Sequence, residues 1–188
     1  MQFRYSHTPS NLSHSSSLKN TGFAGNSANV WAFIDMQNLY QSVQEERWKI
    51  NWRLFFQYLA KVHNVSRAVG FMGYVYENRW IYSRIMKAGF TIEFREVNRL
   101  ADGKIEGGNC DADLTGYAMN YKYDYDKAIL IGDDGDYCNT LKLLKKQNKL
   151  KLVISPHSID KTSELIKKGI GLNFILSIQN IRTLIEHK

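Results

Sequence analysis

The sequence predicts an α/β fold of three layers, in which a mostly parallel central sheet is covered by helices on both faces. Two observations carry this. Short apolar runs that read as buried strands alternate with amphipathic segments that read as helices. No internal repeat interrupts the alternation. Right-handed crossovers between parallel strands then leave a doubly wound sheet, Rossmann-like in its layering.

The elements follow in order. Val30, Trp31, Ala32, Phe33 and Ile34 form an apolar run ending in Asp35, the first strand. A helix follows from about Asn38, with Leu39 and Val43 one turn apart. Trp52, Phe55, Leu59 and Val62 recur as the stripe of an amphipathic helix. Residues 68–75 form a second strand, and residues 78–87 a helix with Ile81 and Ile85 inward and Gly89 at its C-terminal cap. Residues 90–97 make a third strand. Residues 98–110, with repeated Gly and Asn, read as a loop. Residues 111–123 are helical, 128–131 a fourth strand, 136–148 a helix and 150–154 a fifth strand. A helix over 160–168, a short strand over 173–176 and a helix from about Gln179 close the chain.

Composition bounds the rest. A chain of 188 residues, 44% hydrophobic and 13% aromatic, is long enough for one well-buried domain. Two cysteines exclude a disulfide framework and a four-cysteine zinc site. Cys110 and Cys138 read as small buried apolar residues in a cytoplasmic protein. No apolar run approaches the roughly 18 residues of a membrane span, so no membrane partner is expected. Residues 1–29, rich in Ser, Asn, His and Gly, read as a disordered tail, and residues 30–188 as the domain. The tail has no acid and loosely resembles a transit peptide. The whole chain carries +7, and without the tail 23 basic residues face 18 acidic ones, a net of +5. That excess favours a polyanionic partner such as nucleic acid.

Ligands of doubly wound sheets lie beyond the carboxyl ends of the strands, where the winding reverses. The first strand ends in Asp35. The fourth ends in Gly132-Asp133-Asp134-Gly135-Asp136-Tyr137. Asp111 and Asp113 open the helix before the fourth strand. At about 100° per residue, Asp111 lies near Leu114 and Ala118 on the sheet-facing side, whereas Asp113 points away. Asp35, Asp111, Asp134 and Asp136 are therefore expected to converge. Like charges packed together raise one another's pKa. A hard divalent cation, Mg²⁺ or Mn²⁺, resolves the conflict and can activate water for phosphodiester cleavage. Each acid alone reads equally as a helix cap or turn residue; their shared location carries the argument.

The runs Phe-Ile-Asp-Met-Gln-Asn-Leu at 33–39, Asp-Ala-Asp-Leu at 111–114 and Ile-Gly-Asp-Asp-Gly-Asp-Tyr at 131–137 resemble the NYN domain, of the PIN-like nuclease superfamily, including its LabA-like branch. The resemblance spans about residues 30–176. It implies a PIN-like α/β/α sandwich and a metal-dependent endoribonuclease. Asp35, Asp111, Asp134 and Asp136 would be its catalytic and metal-holding acids, and Asn38 would position the first acid or a substrate phosphate. Four positions depart from the pattern. Gly132 and Asp133 stand where Ser-Gly is usual, which removes a hydroxyl and adds a charge to the site. Tyr117 replaces a further aspartate. Glu106 stands where a basic residue often precedes the second motif.

Other features sit around this core. Arg95, Arg99 and Lys104 border the long loop, with Arg99 and Lys104 expected to bind substrate phosphate. Lys142, Lys145, Lys146 and Lys149 form one helical stripe, read as a solvated face. Tyr121, Tyr123 and Tyr125 offer rings for stacking on bases or for packing. His157 follows the fifth strand and can reach the cleft rim. The expected partner is RNA, and a homo-oligomer stays open. Two other readings remain: an RNA-binding or regulatory module without turnover, and a phosphohydrolase of small phosphoesters. The latter lacks the Asp-x-Asp nucleophile pattern, since Met36 and Gln37 follow Asp35.

Overall fold

The computed structural model describes residues 28–100 and 105–187, and of residues 105 and 106 only the backbone. Lys104, the side chain of Glu106 and residues 1–27 of the expected tail lie outside the described residues. Asn29 does not: its N–H donates to Asp126 at 2.8 Å, and its side-chain oxygen accepts from Ser66.

The chain runs β1 (Val30–Asp35), α1 (Met36–Glu45), α2 (Trp52–His63), β2 (Val65–Gly73), α3 (Arg79–Lys87) and β3 (Thr91–Arg95). It continues through β4 (Val97–Arg99), β5 (Ile105–Gly107), α4 (Asp111–Asn120), β6 (Lys127–Ile131) and α5 (Cys138–Lys146). It ends with β7 (Leu150–Ser155), α6 (Glu164–Ile170), β8 (Ile175–Ser177) and α7 (Arg182–Ile185). Six strands form one sheet in the order β3-β2-β1-β6-β7-β8. All five neighbouring pairs are parallel. The winding therefore reverses between β1 and β6, the switch point the sequence predicts.

Side chains alternate across β1, so this one strand feeds both cores. Val30, Ala32 and Ile34 pack with Leu39 of α1, Phe55 and Leu59 of α2, Ile85 of α3 and Ile185 of α7. Trp31 and Phe33 pack with Leu114 of α4, Leu141 and Leu144 of α5, and Ile166 and Ile170 of α6. Full burial of a side chain such as Phe33 stabilises the fold by about 1.5–3 kcal/mol. This central strand is what holds Asp35 at a fixed height above the sheet.

Four expectations are corrected. Residues 98–110 are not all loop: β4 and β5 pair antiparallel, Asn98 opposite Glu106. Charged side chains and few apolar ones obscured a hairpin too short to show a period. The helix expected from Asn38 begins at Met36, because Asp35 caps it by accepting the Asn38 N–H. The helix expected over 160–168 begins at Glu164, after a turn in which the Lys161 and Thr162 N–H groups bond to the Ser158 carbonyl. Val62 faces solvent at 58% exposure, on the last turn before Asn64 ends α2 in the left-handed conformation. Gly89 does terminate α3, with φ +114°, a value that L side chains rarely adopt.

Candidate active site

Asp35 stands at the carboxyl end of β1. One oxygen, Oδ1, accepts the Asn38 N–H at 2.9 Å, and Oδ2 accepts the Tyr137 hydroxyl at 2.7 Å. The same hydroxyl reaches Asp111 Oδ1 in a short hydrogen bond. Asp111 opens α4, where the Asn109 side chain accepts its N–H at 2.8 Å. Tyr137 is fully buried, so its ring fixes where the hydroxyl lies between the two acids.

Gly132 makes this approach possible. A Cβ there would sit 3.1 Å from Tyr137 Cε2 and 3.3 Å from the Asp35 Cβ. The residue at the usual serine position thus admits the phenol ring and the first acid side by side.

Asp35, Asn38, Asp111 and Asp134 line one polar cleft of about 210 Å³, with Gln37, Gln41 and Asn109. Asp134 is exposed, and its Oδ1 accepts the Asp136 N–H at 3.0 Å. Asp136 does not line that cleft. It faces an adjoining hollow with Asp111, Arg95 and Thr115. Three of the four expected acids therefore share a wall, and Asp111 joins the two hollows. Asp113 points away, as expected, and pairs with Arg95 at 2.8 Å.

Burial pushes the Asp35 carboxyl above its ordinary range. The Asn38 N–H and the Tyr137 hydroxyl oppose the shift, and the Asp111 charge adds to it. Burial and the two carboxylates drive the Tyr137 phenol far above its own range, so it stays a donor. A phenol has one proton to give. Two carboxylates crowd around it, so together they remain short of donors.

The donor set here is all oxygen, which suits Mg²⁺ or Mn²⁺ rather than zinc. Among the described residues, no three of His, Cys, Asp and Glu are already arranged to hold one ion. Mg²⁺ commonly needs only one or two carboxylates and retains its waters. Asp35 and Asp111, tied to one hydroxyl, meet that requirement.

The other expected site residues divide. Asn38 meets the first acid through its backbone N–H, a bond that any residue but proline could make there. Its side-chain oxygen also accepts the Asp133 N–H at 3.3 Å, linking the first motif to the third. Arg99 is paired with Glu77 at 2.7 Å, both exposed. Asp133 adds no charge to the cleft: it is 6% exposed and accepts from Ser155 at 2.6 Å and from His157 Nδ1 at 2.9 Å. Tyr117, in place of an acid, packs on Phe33 and Phe71 and accepts from Arg67. Cys110 is a buried thiol pushed up to about 11 by burial and by the Asp113 and Asp35 charges. Tyr125 is buried and donates to the Ala118 carbonyl, Tyr121 packs on Trp31 and Tyr117, and Tyr123, 86% exposed, has the Lys122 ammonium over its ring. Tyr137 is the residue that sequence reasoning missed. Its place in the third motif was visible, but it shares a helix face with Leu141 and Leu144, which is the pattern of a core ring.

No helix among the described residues is long and apolar enough to cross a membrane. No curated protein matches the chain. Among solved structures, a protein of unknown function from Vibrio parahaemolyticus is similar, with a TM-score of 0.69 and 19% identity. The match covers 87% of this chain and 99% of that one. The flap endonuclease of bacteriophage T5, in a pseudo-enzyme-product complex with DNA and metal ions, matches at a TM-score of 0.41 and 14% identity. That match covers 68% of this chain and 54% of the endonuclease. The NYN domain family matches residues 29–169, a span that holds β1, β6 and every acid of the cleft, and this chain belongs to that family.

Proposed function

We propose that the protein is a metal-dependent endoribonuclease that cleaves RNA phosphodiester bonds at the cleft between β1 and β6. The observation that carries this is the pair Asp35 and Asp111 sharing the single proton of Tyr137. The NYN family match, with the nuclease activity that this resemblance implies, and the net positive charge support it, and RNA is the substrate class that the family implies.

Asp35 and Asp111 would hold a Mg²⁺ or Mn²⁺ ion, which when bound supplies an activated water and charge stabilisation for the leaving oxygen. Asp134, on the same wall, would orient a water through its exposed carboxylate. Asn38 holds Asp35 in place through its N–H. Tyr137 fixes the angle of both carboxylates, as an outer partner does for metal-binding acids. The test is incubation of purified protein with structured and single-stranded RNA, with and without Mn²⁺, beside Asp35→Asn. Cleavage by the parent only in Mn²⁺, lost in the variant, is expected. Equal cleavage by parent and variant overturns the proposal.

A further inference from the structure

A second hollow lies against α1, on residues distinct from those that line the acid cleft. It measures about 380 Å³, within the size range of small-molecule sites. Three of the chain's four tryptophans line it: Trp48, Trp52 and Trp80. Tyr40 completes the aromatic wall, and Lys49 and Arg84 supply positive charge. No Asp or Glu among the described residues lines it. The acid cleft and the hollow beside it have the opposite character.

Two features mark this hollow as more than packing. Trp80 and Tyr40 are 57% and 44% exposed, so large flat faces stand open to solvent. Lys49 and Arg84 are the second, cations on a wall that no Asp or Glu among the described residues lines. A ligand that brings a ring and an anion satisfies both demands of this wall.

We infer that this hollow is a nucleotide-binding subsite, in which a base stacks on Trp80 and Tyr40 and has its phosphate met by Lys49 and Arg84. Aromatic stacking accepts any base, and cations need only reach a phosphate. A free nucleotide and a nucleotide of an RNA strand share this chemistry. The strand form rests on the ribonuclease reading. It is geometrically direct, because α1 borders both sites. Gln37, Asn38 and Gln41 face the acid cleft, while Tyr40, Val43 and Gln44 face the hollow. A smaller hollow of about 120 Å³ shares Tyr40, Trp52 and Trp80 and extends to Met36, next to Asp35. Asp35 and Tyr40 are about 8 Å apart along the helix at 1.5 Å per residue, within a few nucleotides' reach.

The test uses the full chain carrying Asp35→Asn, in EDTA, so that binding is read without cleavage and without a metal. The probes are a labelled ten-nucleotide single-stranded RNA and, separately, adenosine monophosphate. Trp80→Ala should weaken binding by about tenfold, the usual cost of one lost stacking contact. Arg84→Ala should weaken RNA binding and reduce its salt dependence by about one phosphate contact. Tyr123→Ala, a more exposed ring elsewhere, should change nothing. Trp80-dependent binding of the mononucleotide supports a free nucleotide as occupant, and Trp80-dependent binding of the RNA alone supports a strand. Trp80→Ala binding both probes as its parent does, or Tyr123→Ala weakening them instead, overturns the inference. Trp80-dependent binding by a protein whose Asp35 form cleaves no RNA would leave the subsite standing and overturn only the nuclease reading.

Discussion

Tyr137 donates its hydroxyl proton to Asp35 Oδ2 at 2.7 Å, joining residues 102 positions apart. Through that bond the turn after β6 is locked to the turn after β1. The same hydroxyl reaches Asp111, so one side chain sets the geometry of both acids that the sequence places in different motifs.

Tyr137→Phe should therefore keep the fold and lose much of the activity. Ring packing is retained, while the hydroxyl that aligns both carboxylates is removed. Loss of such an outer partner typically costs 10–100-fold in metal affinity or activity. Cleavage rates measured against Mn²⁺ concentration should show that loss, with an unchanged circular dichroism spectrum. A rate equal to the parent's would mean that the hydroxyl positions nothing.

Asp35 should make the metal-free fold weaker as pH rises. Burial favours its neutral form, so its folded pKa lies above its unfolded one. Below the unfolded value both states are protonated and stability is complete. As pH rises from the ordinary carboxylate range through the raised folded value, the folded state must ionise a half-buried group and loses stability. Urea unfolding in EDTA from about pH 4 to about pH 7 should show this decline in the parent. Asp35→Asn should flatten it. A parent profile that rises over that window relative to the variant contradicts the burial argument.

Gly132→Ala should disturb the site without breaking the sheet. The added methyl would press on Tyr137 and on the Asp35 Cβ at 3.1 and 3.3 Å. Overpacking of this kind costs about 1–3 kcal/mol. Thermal melting should fall, and cleavage should fall with it. Unchanged melting and rate would show that the two turns can move apart freely.

Asp133 should matter for stability and little for chemistry. It is buried and bonded to Ser155 and His157, away from the cleft. Asp133→Ala leaves those donors without their acceptor, at a cost of about 1–3 kcal/mol. Denaturant unfolding reads the loss, and cleavage below the melting range should persist. Abolished cleavage in a folded variant would place Asp133 in the reaction.

The fold and the acid cleft were legible in the sequence to different depths. Apolar runs such as Val30 to Ile34 exposed the strands, because a strand buried on both faces has no other composition open to it. Asp35, Asp111 and Asp134 could be placed together because a doubly wound sheet has a switch point. Asp136 could not be separated from Asp134, since a two-residue difference within a tight turn decides which hollow a side chain enters. The β4–β5 hairpin was hidden by its length of three residues a strand. Tyr137 was hidden by its neighbours: a phenol reads as a core ring until its hydroxyl is seen to find partners. The groove of Trp48, Trp52 and Trp80 joins three helices and a loop, and no local pattern records that meeting.

The central claim is that Asp35 and Asp111 act as one unit on RNA. Single-turnover cleavage of a labelled RNA in Mn²⁺ by the parent, Asp35→Asn, Asp111→Asn and the double variant tests it most directly. Groups that act together are strongly non-additive. The account predicts that either single substitution falls to the same floor as the double, and that EDTA brings the parent to that floor. Cleavage that survives in either single variant at the parent's rate, or in EDTA, would contradict it.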